Sequence, residues 1–139
     1  MARQLATDLN AIPFSNGASA TYARDVDLET QQITGPKLWV DATQAEQLVA
    51  RSQWGQAITL QVTAIAPRVQ NGQDGSVAVE AEKDAWLDFI DDEVIAVIRT
   101  TKNQGRLPTQ INFVHRLKSA ALREGRQLLT QFQIVFPLV

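Results

Sequence analysis

The stretch Trp86-Leu87-Asp88-Phe89-Ile90-Asp91-Asp92-Glu93-Val94-Ile95-Ala96-Val97-Ile98-Arg99 decides the fold. Trp86, Ile90, Val94 and Ile98 repeat at every fourth position, with Leu87, Phe89 and Val97 widening the stripe, so the segment reads as an amphipathic helix with one face for a core. The pattern extends from about Val79 to Thr100, roughly 33 Å at 1.5 Å per residue. Acids crowd its first half (Glu80, Glu82, Asp84, Asp88) and Arg99 closes it, with Lys102 just beyond, as the helix dipole favours.

The partner of this helix is visible on either side of it. Upstream, Ile58, Leu60, Val62, Ala64 and Ala66 alternate with Thr59, Gln61, Thr63 and Ile65, a strand with one apolar face that Pro67 ends. Downstream, Phe132, Ile134, Phe136 and Leu138 alternate with Gln131, Gln133, Val135 and Pro137, and Pro137 places the end of that strand at or near an edge. Residues 37–42 (Lys37-Leu38-Trp39-Val40-Asp41-Ala42) and Ile111 to Arg116 read as two further strands. Ala2, Leu5, Ala6 and Leu9 give a short helix over residues 2–11 that Pro13 stops. Residues 13–23 and 68–77 read as loops, residues 24–36 are mixed, and residues 118–126 read as a short helix or turn. Ala45, Leu48 and Val49 have helical spacing that Trp54-Gly55 ends. The order α-β-β-α-β-(α)-β predicts one α+β domain over residues 1–139: a mainly antiparallel sheet of about four strands, with the long helix at about 79–100 and the N-terminal helix packed on one face.

Composition narrows the chemistry. The chain has 139 residues, 45% of them hydrophobic and 20% charged, with a formal charge of −2, no cysteine and one histidine. No disulfide framework, thiolate metal site, cysteine nucleophile or two-histidine metal motif is therefore available. No apolar run approaches the roughly 18 residues that span a bilayer, and the first residues lack a secretory apolar region, so no membrane partner is expected. Phosphate-loop, dinucleotide and nucleophile-elbow motifs are missing. Asp91-Asp92-Glu93 are consecutive on a helix, where they point to different faces, so a solvated surface explains them better than paired acid–base chemistry. Asn71 to Gly75 lacks the alternating acids and closing glutamate of a calcium loop. His115 has no acid or serine beside it in sequence and reads as a strand residue. Trp86 fits the core. Trp39 and Trp54 suit core, interface or base stacking. No cofactor, metal or catalytic residue is assigned, and an enzyme is not expected.

Charge distribution says more than total charge. Residues 74–93 carry Asp74, Glu80, Glu82, Asp84, Asp88, Asp91, Asp92 and Glu93 against Lys83 alone. Residues 99–126 carry Arg99, Lys102, Arg106, Arg116, Lys118, Arg123 and Arg126 against Glu124 alone. The plain interpretation is a dipolar, inert surface. The functional one is head-to-tail association of copies, which closes into a ring where the rotation permits. On that interpretation Asp88, Asp92 and Glu93 form one side of a subunit contact and Arg116, Lys118 and Arg123 the other. A nucleic-acid interface on the basic segment is disfavoured by the neighbouring acids.

With the segments placed, several stretches in order resemble one family. They are Ala6-Thr7-Asp8-Leu9-Asn10-Ala11, Leu38-Trp39-Val40-Asp41-Ala42, Gln56-Ala57-Ile58-Thr59-Leu60-Gln61-Val62, Trp86 to Val94, and Leu122-Arg123-Glu124 followed by Leu129 to Phe136. Together they resemble the tail terminator or tail-completion (head–tail joint) proteins of tailed bacteriophages. These are patterns of residue type rather than signature residues. The loop at 68–77 and the tail from Pro137 to Val139 do not match. The resemblance implies a structural virion protein of the head–tail joint, assembled in the host cytoplasm. Six copies would form a ring on the last layer of the tail tube, end its polymerisation and join the tail to the head. Implied partners are other copies, the tail tube protein, a neck, stopper or adaptor protein, and the sheath protein if the tail is contractile, with DNA only passing through the lumen. A head-side stopper or adaptor of the same connector is the alternative it leaves. From other classes, a small enzyme built on His115 and a DNA-binding module built on residues 99–126 remain.

Overall fold

The computed structural model describes residues 1–23, 33–41, 48–52, 55–70, 75–123 and 126–137. In chain order the elements are α1 (Ala2–Asn10), β1 (Ser19–Ala23), β2 (Lys37–Asp41), β3 (Leu48–Ser52), β4 (Gly55–Pro67), α2 (Val77–Asp88), a π-helical stretch (Phe89–Ile95), α3 (Ala96–Thr100), β5 (Gln110–His115), α4 (Ser119–Arg123) and β6 (Gln127–Pro137). α2, the π stretch and α3 form one long helix, begun where the Ser76 hydroxyl accepts the Val79 N–H.

The sheet is built on β4 and β6, which pair antiparallel from Ala57↔Pro137 to Pro67↔Gln127. Strand order is β1-β2-β4-β6-β5, with β3 pairing to β4 off this path. β2 pairs with Gln61 to Ile65 and β3 with Gly55 to Ile58. The two therefore line the same edge of β4, one after the other. The fold is the expected α+β with both helices on one face, and β2, β4, β5 and β6 form where the sequence placed its four strands.

Three details differ from the sequence-based expectation. Ser19–Ala23 is a strand within the stretch read as a loop, and it pairs parallel to β2, which makes the sheet mixed. Its only apolar inward residue of any size is Tyr22, so alternation was faint, and its pairing is long-range. Leu48–Ser52 is a strand despite its helical spacing, because the hairpin with Gly55–Ile58 gives its backbone a partner. β6 lies inside the sheet between β4 and β5, and Pro137 is tolerated there because the last pair with β5 is Gln110↔Val135. Trp54, residues 71–74 and most of the mixed stretch at 24–36 lie outside the described residues.

Alternation produces the core. Leu60, Val62, Ala64 and Ala66 of β4 and Leu128, Phe132, Ile134 and Phe136 of β6 are buried on one face. They form one cluster with Leu5 and Leu9 of α1, Leu38 and Val40 of β2, and Trp86, Phe89, Ile90, Val94, Ile95 and Ile98 of the long helix. Burying each large side chain contributes about 1.5–3 kcal/mol. Trp39, Ile65 and Leu129 form a smaller cluster on the opposite face. Elsewhere that face carries Thr59, Gln61, Thr63, Gln131 and Gln133, with the Gln131 amide donating to Thr63.

One polar residue interrupts the inner face of β6. Thr130 is fully buried. Its hydroxyl accepts the Trp86 indole N–H at 2.9 Å and donates to the Arg116 carbonyl at 2.6 Å. This relay fastens the helix to β6 and to the chain leaving β5. Thr130→Val leaves both outer groups unpaired and should cost about 1–3 kcal/mol. The loss should appear as a lower urea midpoint with an unchanged slope.

Candidate functional site

The long helix has two flanks, and its local geometry determines which acid falls on each. In the π stretch the buried residues come as adjacent pairs five apart, Phe89-Ile90 and Val94-Ile95. In an α-helix Val94 would return to within about 40° of Ile90, but Ile95 would lie roughly 120° round from Phe89, on the far side of the stripe. Wider i→i+5 closure keeps both pairs facing inward. Asp88, Asp92 and Glu93 line the flank toward β1 and β2, and Asp91 lies on the flank toward β5.

The first flank is one wall of a groove of about 610 Å³. Trp86, Phe89, Ala66 and Leu128 supply apolar lining, and Ser15, Asn16 and Thr34 to Pro36 form the opposite side. The Phe14 ring meets Phe89 edge-on at 5.6 Å, and Trp86 lies 5.4 Å from Phe89, so the apolar lining is held by aromatic packing. Two carboxylates brace the groove. Glu93 accepts both the backbone N–H and the hydroxyl of Ser15, the former at 2.9 Å, which holds the loop after α1 against the helix. Glu82 accepts the N–H groups of Val69 and Gln70 at 2.8 and 3.1 Å, and its other oxygen faces the Arg68 guanidinium at 4.0 Å. Arg68 in turn donates to the Leu122 carbonyl, tying β4 to α4. Between the two braces Asp88 and Asp92 are exposed, and among the described residues neither has an ion-pair partner.

The second flank is a groove of about 420 Å³ against the edge strand β5, lined by Asp91, Ile95, Ala96, Arg99, Ile111, Phe113 and Arg116. Arg116 forms an ion pair with Asp91 and lies over the Phe113 ring at 5.1 Å. That pair is substantially exposed, so its contribution to stability is small.

Of the residues named from sequence, the structure brings Asp88, Asp92 and Glu93 together at one groove. It places Arg116 on the other flank, already engaged within the chain. Lys118 is half-buried, and its N–H donates to the Leu129 carbonyl. The side chain of Arg123 lies outside the described residues. His115 stands exposed at the end of β5, opposite Gln131 and away from the acidic groove. Sequence reading missed Ser15 and Thr34 to Pro36, the far wall of the groove. Gly35-Pro36 and Asn16-Gly17 marked turns there, but nothing local reveals that two turns face one helix. Among the described residues no group of three or more His, Asp or Glu side chains is placed to hold a metal ion, and no helix is long and apolar enough to cross a membrane.

No protein-family model matches this chain, and no curated protein is detectably similar to it.

What the arrangement offers chemically is an apolar trough with a carboxylate rim, suited to an apolar side chain flanked by cations. Its shape depends on the Glu93 brace. Glu93→Ala should speed amide hydrogen exchange at Ser15 to Gly17 and cost about 1 kcal/mol. Unchanged exchange there would show that the loop is held by other contacts.

Proposed function

We propose that this chain is a ring-forming structural subunit of a tailed bacteriophage, a tail terminator that caps the tail tube, ends its polymerisation and joins the tail to the head. The observation that carries the reading is the division of charge between the two flanks of one helix, without ion-pair partners among the described residues. Asp88 and Asp92 stand exposed toward β1 and β2, and Arg99 stands exposed toward β5. Unlike surfaces on opposite sides of a subunit favour a heterologous contact, in which each copy offers one surface and receives on the other. Such contacts close into a ring when the rotation between copies divides a full turn.

The resemblance to tail terminators supplies the rest of the reading: six copies, the tube protein below, and a neck, stopper or adaptor protein above. A sheath protein would contact the ring if the tail is contractile, and DNA would pass through the lumen unread. The role draws on rigid shape and surface charge, and asks for no reacting side chain.

The test is electron microscopy of particles assembled without this protein. Overlong tails that fail to join heads are expected. Tails of normal length beside heads that lose their DNA would move the protein to the head side, as a stopper or adaptor. Normal, infectious particles would overturn both roles.

A further inference from the structure

We propose that the acidic groove is the docking site for the Lys102–Leu107 turn of a second copy of this chain. The inference rests on the ring-forming reading and identifies the contact that would build the ring.

The turn is a preformed knob. Asn103 and Arg106 exchange backbone hydrogen bonds at 2.8 and 3.0 Å across Gln104 and Gly105. Both central residues have positive φ, 51° and 78°, the signature of a tight hairpin turn. A non-glycine residue keeps that conformation only where its surroundings enforce it, and here both ends are anchored. Asn103 is 1% exposed and donates its amide to the Met1 carbonyl at 2.8 Å, and the Thr109 N–H donates to the Val135 carbonyl at 2.8 Å. Between these anchors Leu107 stays 43% exposed, although it is a large apolar side chain. Lys102 and Arg106 belong to the same turn and Arg99 to the helix end that leads into it, and among the described residues none of the three has a carboxylate partner.

The groove carries the complementary set. Its trough is apolar at Trp86 and Phe89, and its rim holds the unpaired Asp88 and Asp92. An apolar tip among unpaired cations therefore matches an apolar trough beneath unpaired anions. The turn's backbone is anchored at both ends and the groove is braced by Glu82 and Glu93, which lowers the ordering entropy that opposes the contact. The knob cannot enter its own groove. Asp88 and Thr100 are twelve residues apart in one helix, roughly 18 Å at 1.5 Å per residue, and the turn is pinned to α1 and β6. Only another copy can supply it, and the resulting contact is head-to-tail. This assigns the basic half of the contact to Arg99, Lys102 and Arg106, with Arg116 held by Asp91 in its own chain.

The experiment is sedimentation velocity on the full chain across a concentration series at low salt. Wild type is expected to self-associate, less so as salt rises. The exposed-site variants D88K/D92K and R99E/K102E should each weaken self-association by roughly tenfold or more, because each sets like charges face to face. Both should keep the wild-type circular dichroism. Mixed in equal amounts they should associate again, since each copy's knob then meets an oppositely charged groove. Leu107→Asp should weaken association without that rescue. Wild type that is monomeric at every concentration overturns the proposal. Association that survives both reversals, or a mixture that stays monomeric when the two variants do not associate alone, overturns this contact. None of these results alters tail length in particles lacking the protein, so the ring-forming reading stands or falls on its own experiment.

Discussion

The structure depends on one helix having to bury two adjacent pairs of large side chains, Phe89-Ile90 and Val94-Ile95, on a single sheet. A regular α-helix would keep Val94 under Ile90 but set Phe89 and Ile95 roughly 120° apart. The chain adopts the wider π geometry there and resumes α geometry at Ala96. Apolar burial outweighs the poorer helix geometry, because each of these side chains is worth about 1.5–3 kcal/mol when it leaves water. Along this helix Asp88, Asp92 and Glu93 line one flank and Asp91 the other.

The helix in turn needs a surface that does not yield. β4 and β6 form it by the longest pairing in the sheet, with the small Ala64 and Ala66 opposite Thr130 and Leu128 and the larger Phe132, Ile134 and Phe136 opposite Val62, Leu60 and Ile58. The Thr130 relay adds direction to this non-directional packing, since an indole N–H buried without an acceptor is costly. On the far side of the sheet, threonine and glutamine residues replace aliphatics, and only Trp39, Ile65 and Leu129 gather into a second cluster. The two faces are built for different surroundings.

Charge then gives the chain a polarity. The net charge of −2 conceals two unlike surfaces. Glu82 and Glu93 are used internally as braces and Asp91 is taken by Arg116, which leaves Asp88 and Asp92 on one flank. Arg99 lies on the other, next to the anchored turn that carries Leu107. Exposed charges act over about 10 Å at ordinary salt, so only close, shape-matched approach of another molecule makes use of them.

Much of the fold was legible in the sequence because it rests on periodicity. The four-residue repeat of Trp86, Ile90, Val94 and Ile98 and the two-residue alternation in β4 and β6 are local signals, and all point to the same buried face. β1 and β3 were not legible. Ser19–Ala23 has small residues and a parallel partner distant in sequence, and Leu48–Ser52 takes its conformation from a hairpin rather than from its own spacing. Of the candidate site, the sequence by itself determined which residues are acidic, which are basic and that they fall in separate segments. Only the tertiary structure decided that Asp88, Asp92 and Glu93 share a groove with Ser15 and Gly35-Pro36, and that Arg116 is occupied while Lys102 and Arg106 have no ion-pair partner among the described residues. The reason is physical: helical and strand periods are short-range properties of the chain, whereas pairing of charges depends on which distant segments the core draws together.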